Sequence, residues 1–144
     1  MIITRRATLA LSLCTAAVLG AGPLAGTAGA QFAADTVTID PGGRIDGAGA
    51  VTLTGAYRCS PPRAGTVLIG SAVVQGDSRA DLEGSVAICD GRVHGWRGSG
   101  SAGKALRPGP ARGEVTLLEL DTSRGLPFPV MLGTGRGEVT LHRG

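Results

Sequence analysis

The residues best suited to chemistry lie in one stretch, ICDGRVHGW at 88–96, which sets Cys89, Asp90, Arg92, His94 and Trp96 close together. A histidine near an acid could serve a Ser-His-Asp triad. His94 or the second histidine, His142, could fill that role, yet no G-x-S-x-G or other nucleophile context accompanies either. Ser101-Ala102-Gly103-Lys104 matches S-x-x-K, but it falls in a glycine-rich stretch rather than at a helix start, and its partner motifs are missing. A zinc site needs three or four ligands at defined spacing, which two distant histidines and a cysteine pair do not supply. Asp77, Asp81 and Glu83 are too thin a cluster for a calcium loop, and Gly98-Ser99-Gly100 has no following helix to cradle a phosphate. These patterns predict no catalytic residues, no metal and no cofactor.

The chemistry that remains is oxidative. The first residues, MIITRRATLALSLCTAAVLGAGPLAGTAGA, have a basic start, an apolar run, the breaker pair Gly22-Pro23 and a small-residue end at Ala28-Gly29-Ala30. That is the pattern of a secretory signal peptide over 1–30, cleaved after Ala30, followed by one domain over 31–144. The apolar run from Ala7 to Gly22 is short for a bilayer span, so the mature chain is expected to insert in no membrane. Leu13 sits where a lipoprotein box needs a small residue, and Arg5-Arg6 alone does not fix the export route. Of the three cysteines, Cys14 leaves with the leader. Cys59 and Cys89 remain and are expected to bridge in an oxidising exterior.

Charge excludes another class of function. The whole chain carries 14 basic and 11 acidic side chains; Arg5 and Arg6 belong to the leader, so the mature part has 12 against 11. Its arginines are scattered along the sequence, without the clustering a nucleic-acid footprint needs.

The elements that position these residues read as strands. Val37-Thr38-Ile39, Val51-Thr52-Leu53, Val115-Thr116-Leu117 and Val139-Thr140-Leu141 alternate apolar and polar residues, and GAVTLTGAYRC puts Val51, Leu53, Tyr57 and Cys59 on one face. TVLIGSAVVQ at 66–75 is apolar on both parities, as in a strand covered on both faces. Leu117-Leu118 breaks the alternation and suggests a β-bulge. Pro41-Gly42-Gly43 and Ser60-Pro61-Pro62 read as turns, 97–111 as a long loop, and Gly125–Pro129 as a stiff bend. No segment of the mature part has sustained helical spacing. The fold class predicted is all-β: an immunoglobulin-like antiparallel β-sandwich of about seven strands with one disulfide, expected to be monomeric.

Within that frame Asp90-Gly91 reads as a two-residue type I′ hairpin. Ile88 would then face Val93, Cys89 would face Arg92, and Ala87 would face His94. Two arrangements follow from this pairing. In one, Trp96 packs with the disulfide in the core. In the other, Val86, Ile88 and Val93 face the core, and Arg92, His94 and Trp96 form an exposed patch. The first is favoured because aromatics are scarce here and buried aromatics dominate core energetics.

Asp35-Thr36-Val37-Thr38-Ile39-Asp40, Tyr57-Arg58-Cys59, Cys89-Asp90-Gly91 with His94 and Trp96, and Gly125-Leu126-Pro127 together resemble a family of small exported proteins of high-GC Gram-positive bacteria, a domain of unknown function. The resemblance covers nearly all of the mature chain; it implies secretion and brings no activity. The function expected is a secreted, non-catalytic binding or structural module. Arg92, His94, Trp96, Leu126 and Phe128, together with the 97–111 loop, are its candidate recognition residues, toward an extracellular protein, glycan or small ligand. One alternative is a protease-inhibitor-like protein presenting the 97–111 or 126–129 loop. Another is a carrier whose apolar pocket would be lined by Trp96 and Phe128.

Overall fold

The computed structural model describes residues 34–144, so the leader, its cleavage point, Cys14 and Phe32 lie outside the described residues. Eight strands follow one another: β1 (Thr36–Ile39), β2 (Gly42–Ile45), β3 (Ala50–Arg58), β4 (Gly65–Gln75), β5 (Ser78–Val86), β6 (Val93–Ser101), β7 (Gly109–Asp121) and β8 (Phe128–Arg143). They pair in the order β1-β3-β2-β8-β7-β4-β5, with β6 added on the far side of β3. Among the described residues no helix is long and apolar enough to cross a membrane. The all-β, disulfide-tied class predicted from alternation is what forms, with one strand more than expected. It is also not purely antiparallel, because β2 runs parallel to β8, Gly42 beside Thr140 and Ile45 beside Arg143.

Two layers result. One contains β5, β4, β7 and the first half of β8; the other contains β6, β3, the short β1 and β2, and the end of β8. β8 serves both layers because the β7–β8 register shifts between Leu117 and Leu118. The bulge predicted at this point is present, but Leu132 of β8 is the extra residue, so β7 keeps its alternation through Leu120. A bulge bends a strand locally, which lets it pass from one sheet toward the other.

The core lies between the layers. Leu53, Leu117 and Leu141 are fully buried with Val51, Val73, Val115 and Val139. Each large side chain removed from water in this way contributes about 1.5–3 kcal/mol. Val51, Leu53, Tyr57 and Cys59 share the inner face of β3, as the alternation predicts. β4 is covered more fully on one face than the other: Val67, Ile69, Ser71 and Val73 are buried on the first, whereas on the second Ala72 is buried and Leu68 and Val74 are half-buried.

Three segments depart from their sequence reading. Gly42 and Gly43 are the start of β2 rather than a turn. Residues 97–101 belong to β6 and 109–111 to β7, which leaves a short connection at 102–108 with Leu106 buried. The glycines there signal close packing and not slackness: a Cβ on Gly98 would stand 2.3 Å from Ser71 Oγ, so only a residue without a side chain lets β6 approach the opposite layer so closely. Phe128 and Pro129 are laddered to Asp121 and Leu120, so the bend ends before them. Pro129 is tolerated because its missing donor is not needed at an unpaired strand edge.

An ionic clamp joins β1, the turn before β4, and β7. Arg63 reaches Asp35 at 2.6 Å and Glu119 at 3.6 Å. Glu119, buried on the inner face of β7, accepts the backbone N–H of Ala64 at 2.5 Å and of Gly65 at 3.2 Å. Removing one partner from such a cluster strands charge and donors out of water. Glu119→Ala is therefore expected to destabilise the protein by about 2–4 kcal/mol, read as a lowered urea midpoint.

Candidate functional site

The segment 87–92 does not form a hairpin. β6 pairs with β3, setting His94 beside Tyr57, Trp96 beside Gly55 and Val93 beside Arg58, while β5 pairs with β4. The predicted pairing of Ile88 with Val93 is thus replaced by a crossing between the layers. The backbone agrees: Gly91 has φ +79°, but among the described residues no non-glycine residue has positive φ, so Asp90-Gly91 lacks the two positive φ values of a type I′ turn.

Polar contacts and one covalent bond pin this crossing to the end of β3. The Cys59–Cys89 disulfide forms as expected, across a Cα–Cα distance of 4.6 Å. The Gly91 N–H donates to Cys59 O at 2.9 Å, Arg58 Nε donates to Gly91 O at 2.7 Å, and the Ile88 N–H donates to the Tyr57 hydroxyl at 2.9 Å. Asp90 Oδ1 accepts the Arg92 N–H at 2.8 Å and lies 2.8 Å from His94 Nε2. The His94 ring stacks on Tyr57 with centroids 5.5 Å apart. His94 and Asp90 thus act on each other and on the corner they brace. Their bond, with the Arg92 N–H, holds the Asp90 carboxyl below its usual range.

Trp96 is buried, and its Nε1 donates to Thr38 O at 2.8 Å. A Cβ on Gly55 would stand 2.5 Å from that nitrogen, so the indole fits only over a glycine. Val86, Ile88 and Val93 are the exposed residues, at 65%, 60% and 70%. The arrangement that buried these three and exposed Trp96 is therefore overturned. With Trp96 in the core and Phe128 66% exposed at the start of β8, the two line no common pocket.

Leu126 and Phe128, picked out in the sequence as candidates, come together at the β7–β8 turn. With Val130, Asp121 and Arg124 they line a crevice of about 420 Å³. The register adds residues that the sequence reading missed. Val86, Leu68, Leu118 and Met131 are successive cross-strand partners over β5, β4, β7 and β8, and they form an apolar row on the outer face. Alternation alone could have placed Leu118 there once β7 was read as unbroken. Among the described residues, no three His, Cys, Asp or Glu side chains gather as a metal site.

Two measurements follow from this geometry. Trp96 emission is expected to be blue-shifted and poorly quenched by iodide; red-shifted, easily quenched emission would contradict its burial. Asp90 binds its proton more weakly in the folded than in the unfolded chain, so its ionised form stabilises the fold above the ordinary carboxylate range. That increment is lost as pH falls through the lowered folded value. The gap in Tm between the wild type and Asp90→Asn is thus expected to narrow on acidification below about pH 4.

No curated protein matches the chain. Among solved structures it is similar to murine CRIg, with 14% identity over 76% of this chain and 98% of that one and a TM-score of 0.36. A family model described as "Family of unknown function (DUF6299)" matches residues 33–144, and the chain belongs to that family.

Proposed function

We propose that the protein is an exported, non-catalytic binding module that engages an extracellular protein through the end of the β7–β8 hairpin. The observation that carries this reading is the exposure of Leu126 at 82%, Phe128 at 66% and Met131 at 59%, in a domain whose other described aromatics, Tyr57 and Trp96, are buried. Exposed apolar clusters of this kind cost solubility and mark interaction sites. The crevice walls are apolar (Leu126, Phe128, Val130), and its rim carries Asp121 and Arg124, the apolar-centre, polar-rim anatomy of a protein interface. Export is supported by the leader's pattern and by a bridged cysteine pair in a small domain. The excess of arginine over lysine, with abundant glycine and alanine, suits a high-GC Gram-positive source. A protease-inhibitor-like role for the same turn is the second reading, favoured by the outward thrust of Leu126; nanomolar inhibition of a secreted protease would select it.

Two results are expected from the full chain expressed in a bacterial host. The exported product should begin at Gln31. With a photo-crosslinking residue at position 128, it should form a discrete adduct with a surface or secreted protein, and Leu126→Asp should abolish that adduct. An unprocessed cytoplasmic product, or labelling indifferent to Leu126→Asp, would refute the reading.

A further inference from the structure

The other layer carries a surface of opposite character. On its outer side β2 places Arg44 beside His142 of β8 and Thr52 of β3, and β3 places Thr54 beside Arg97 of β6. Because Gly42 has no side chain, the row is hollow. The groove of about 560 Å³ is lined by these residues and by Arg143 near the end of β8. Its arginines come from sequence positions 44, 97 and 143, so only the strand register brings them together. Among the described residues none of the three forms an ion pair. The arginines that do form ion pairs are Arg63, Arg79 and Arg136. Two negative groups border the groove: Asp40, which accepts the Thr54 hydroxyl at 2.6 Å, and the carboxylate of Gly144.

We infer that this groove binds a ligand carrying two or more phosphate groups. Three unpaired guanidinium groups around one hollow repel one another, and a multivalent anion relieves that repulsion. Guanidinium forks match phosphate oxygens in paired hydrogen bonds, and the Thr52 hydroxyl, which can accept from Ser99 Oγ at 3.2 Å, adds a donor of the kind a tetrahedral oxyanion accepts. No Phe, Tyr or Trp lines the groove, so it offers no platform on which a nucleic-acid base would stack. Free oligophosphate and a phosphate-linked polymer share the chemistry recognised here. The site is independent of the apolar crevice at the β7–β8 turn and of any partner bound there.

The test is calorimetric titration of the exported, disulfide-bonded protein with tripolyphosphate, long-chain polyphosphate and sodium sulfate at low and moderate salt. Tripolyphosphate is expected to bind at least about tenfold more tightly than sulfate. Each arginine removed should lower the slope of log affinity against log salt by about one. Arg44→Ala with Arg97→Ala should abolish binding at unchanged Tm, since neither side chain holds the fold, and Arg97→Lys should retain part of it. A rise in affinity per phosphate with chain length assigns the polymer; none assigns the free oligophosphate. The inference is overturned if the double variant binds tripolyphosphate as the wild type does, or if sulfate binds equally well. Leu126→Asp should leave the titration unchanged, which separates this result from that of the apolar surface.

Discussion

The structure depends on how the chain crosses from β5 in one layer to β6 in the other. Cys89 lies at the middle of that crossing, and its bond to Cys59 fixes the crossing to the end of the strand that carries Val51, Leu53 and Tyr57 into the core. Closing a loop of this size removes about 3–4 kcal/mol of chain entropy from the unfolded state. The covalent bond does not act alone: the Gly91, Ile88 and Arg58 hydrogen bonds satisfy the segment's backbone, and the His94 ring covers Tyr57. Once the corner is set, β6 must run along β3, and that register delivers Trp96 to the interior over Gly55.

Alternation in the sequence was a faithful guide wherever one face of a strand met the core, as along β3. The disulfide was legible from the cysteine count, and the burial of Trp96 from the scarcity of aromatics. Sequence reading failed where a residue type has two physical uses. Glycine-rich 97–101 reads as loop, yet its glycines exist so that two layers can touch. Asp90-Gly91 reads as a hairpin, yet the chain uses the single positive φ at Gly91 to change layers. Glu119 was hidden because a carboxylate on the inner face contradicts the expected pattern, although Val115, Leu117 and Glu119 share one parity. The arginine groove could not be read at all, since long-range register alone joins positions 44, 97 and 143.

The two outer faces divide the labour of the surface. One layer shows branched aliphatic side chains in a row ending at an aromatic turn; the other shows unpaired cations and hydroxyls around a hollow. With 12 basic and 11 acidic side chains over 31–144, this polarity comes from placement and not from bulk charge. Placement of that kind requires a rigid frame, because a one-residue slip of β2 would turn Arg44 inward and one of β6 would turn Arg97 inward. The ionic clamp at Asp35, Arg63 and Glu119 adjoins the disulfide corner, with Asp35 accepting the Ser60 N–H at 3.0 Å, and the two secure that frame together.

Native-state hydrogen exchange shows whether this corner belongs to the cooperative core or behaves as a surface loop. In the oxidised protein the amides of Ile88 and Gly91 should exchange only with near-global unfolding, and reduction of the disulfide should release them. Exchange of both at the rates of an exposed loop, with the disulfide intact, would contradict the corner's place in the core.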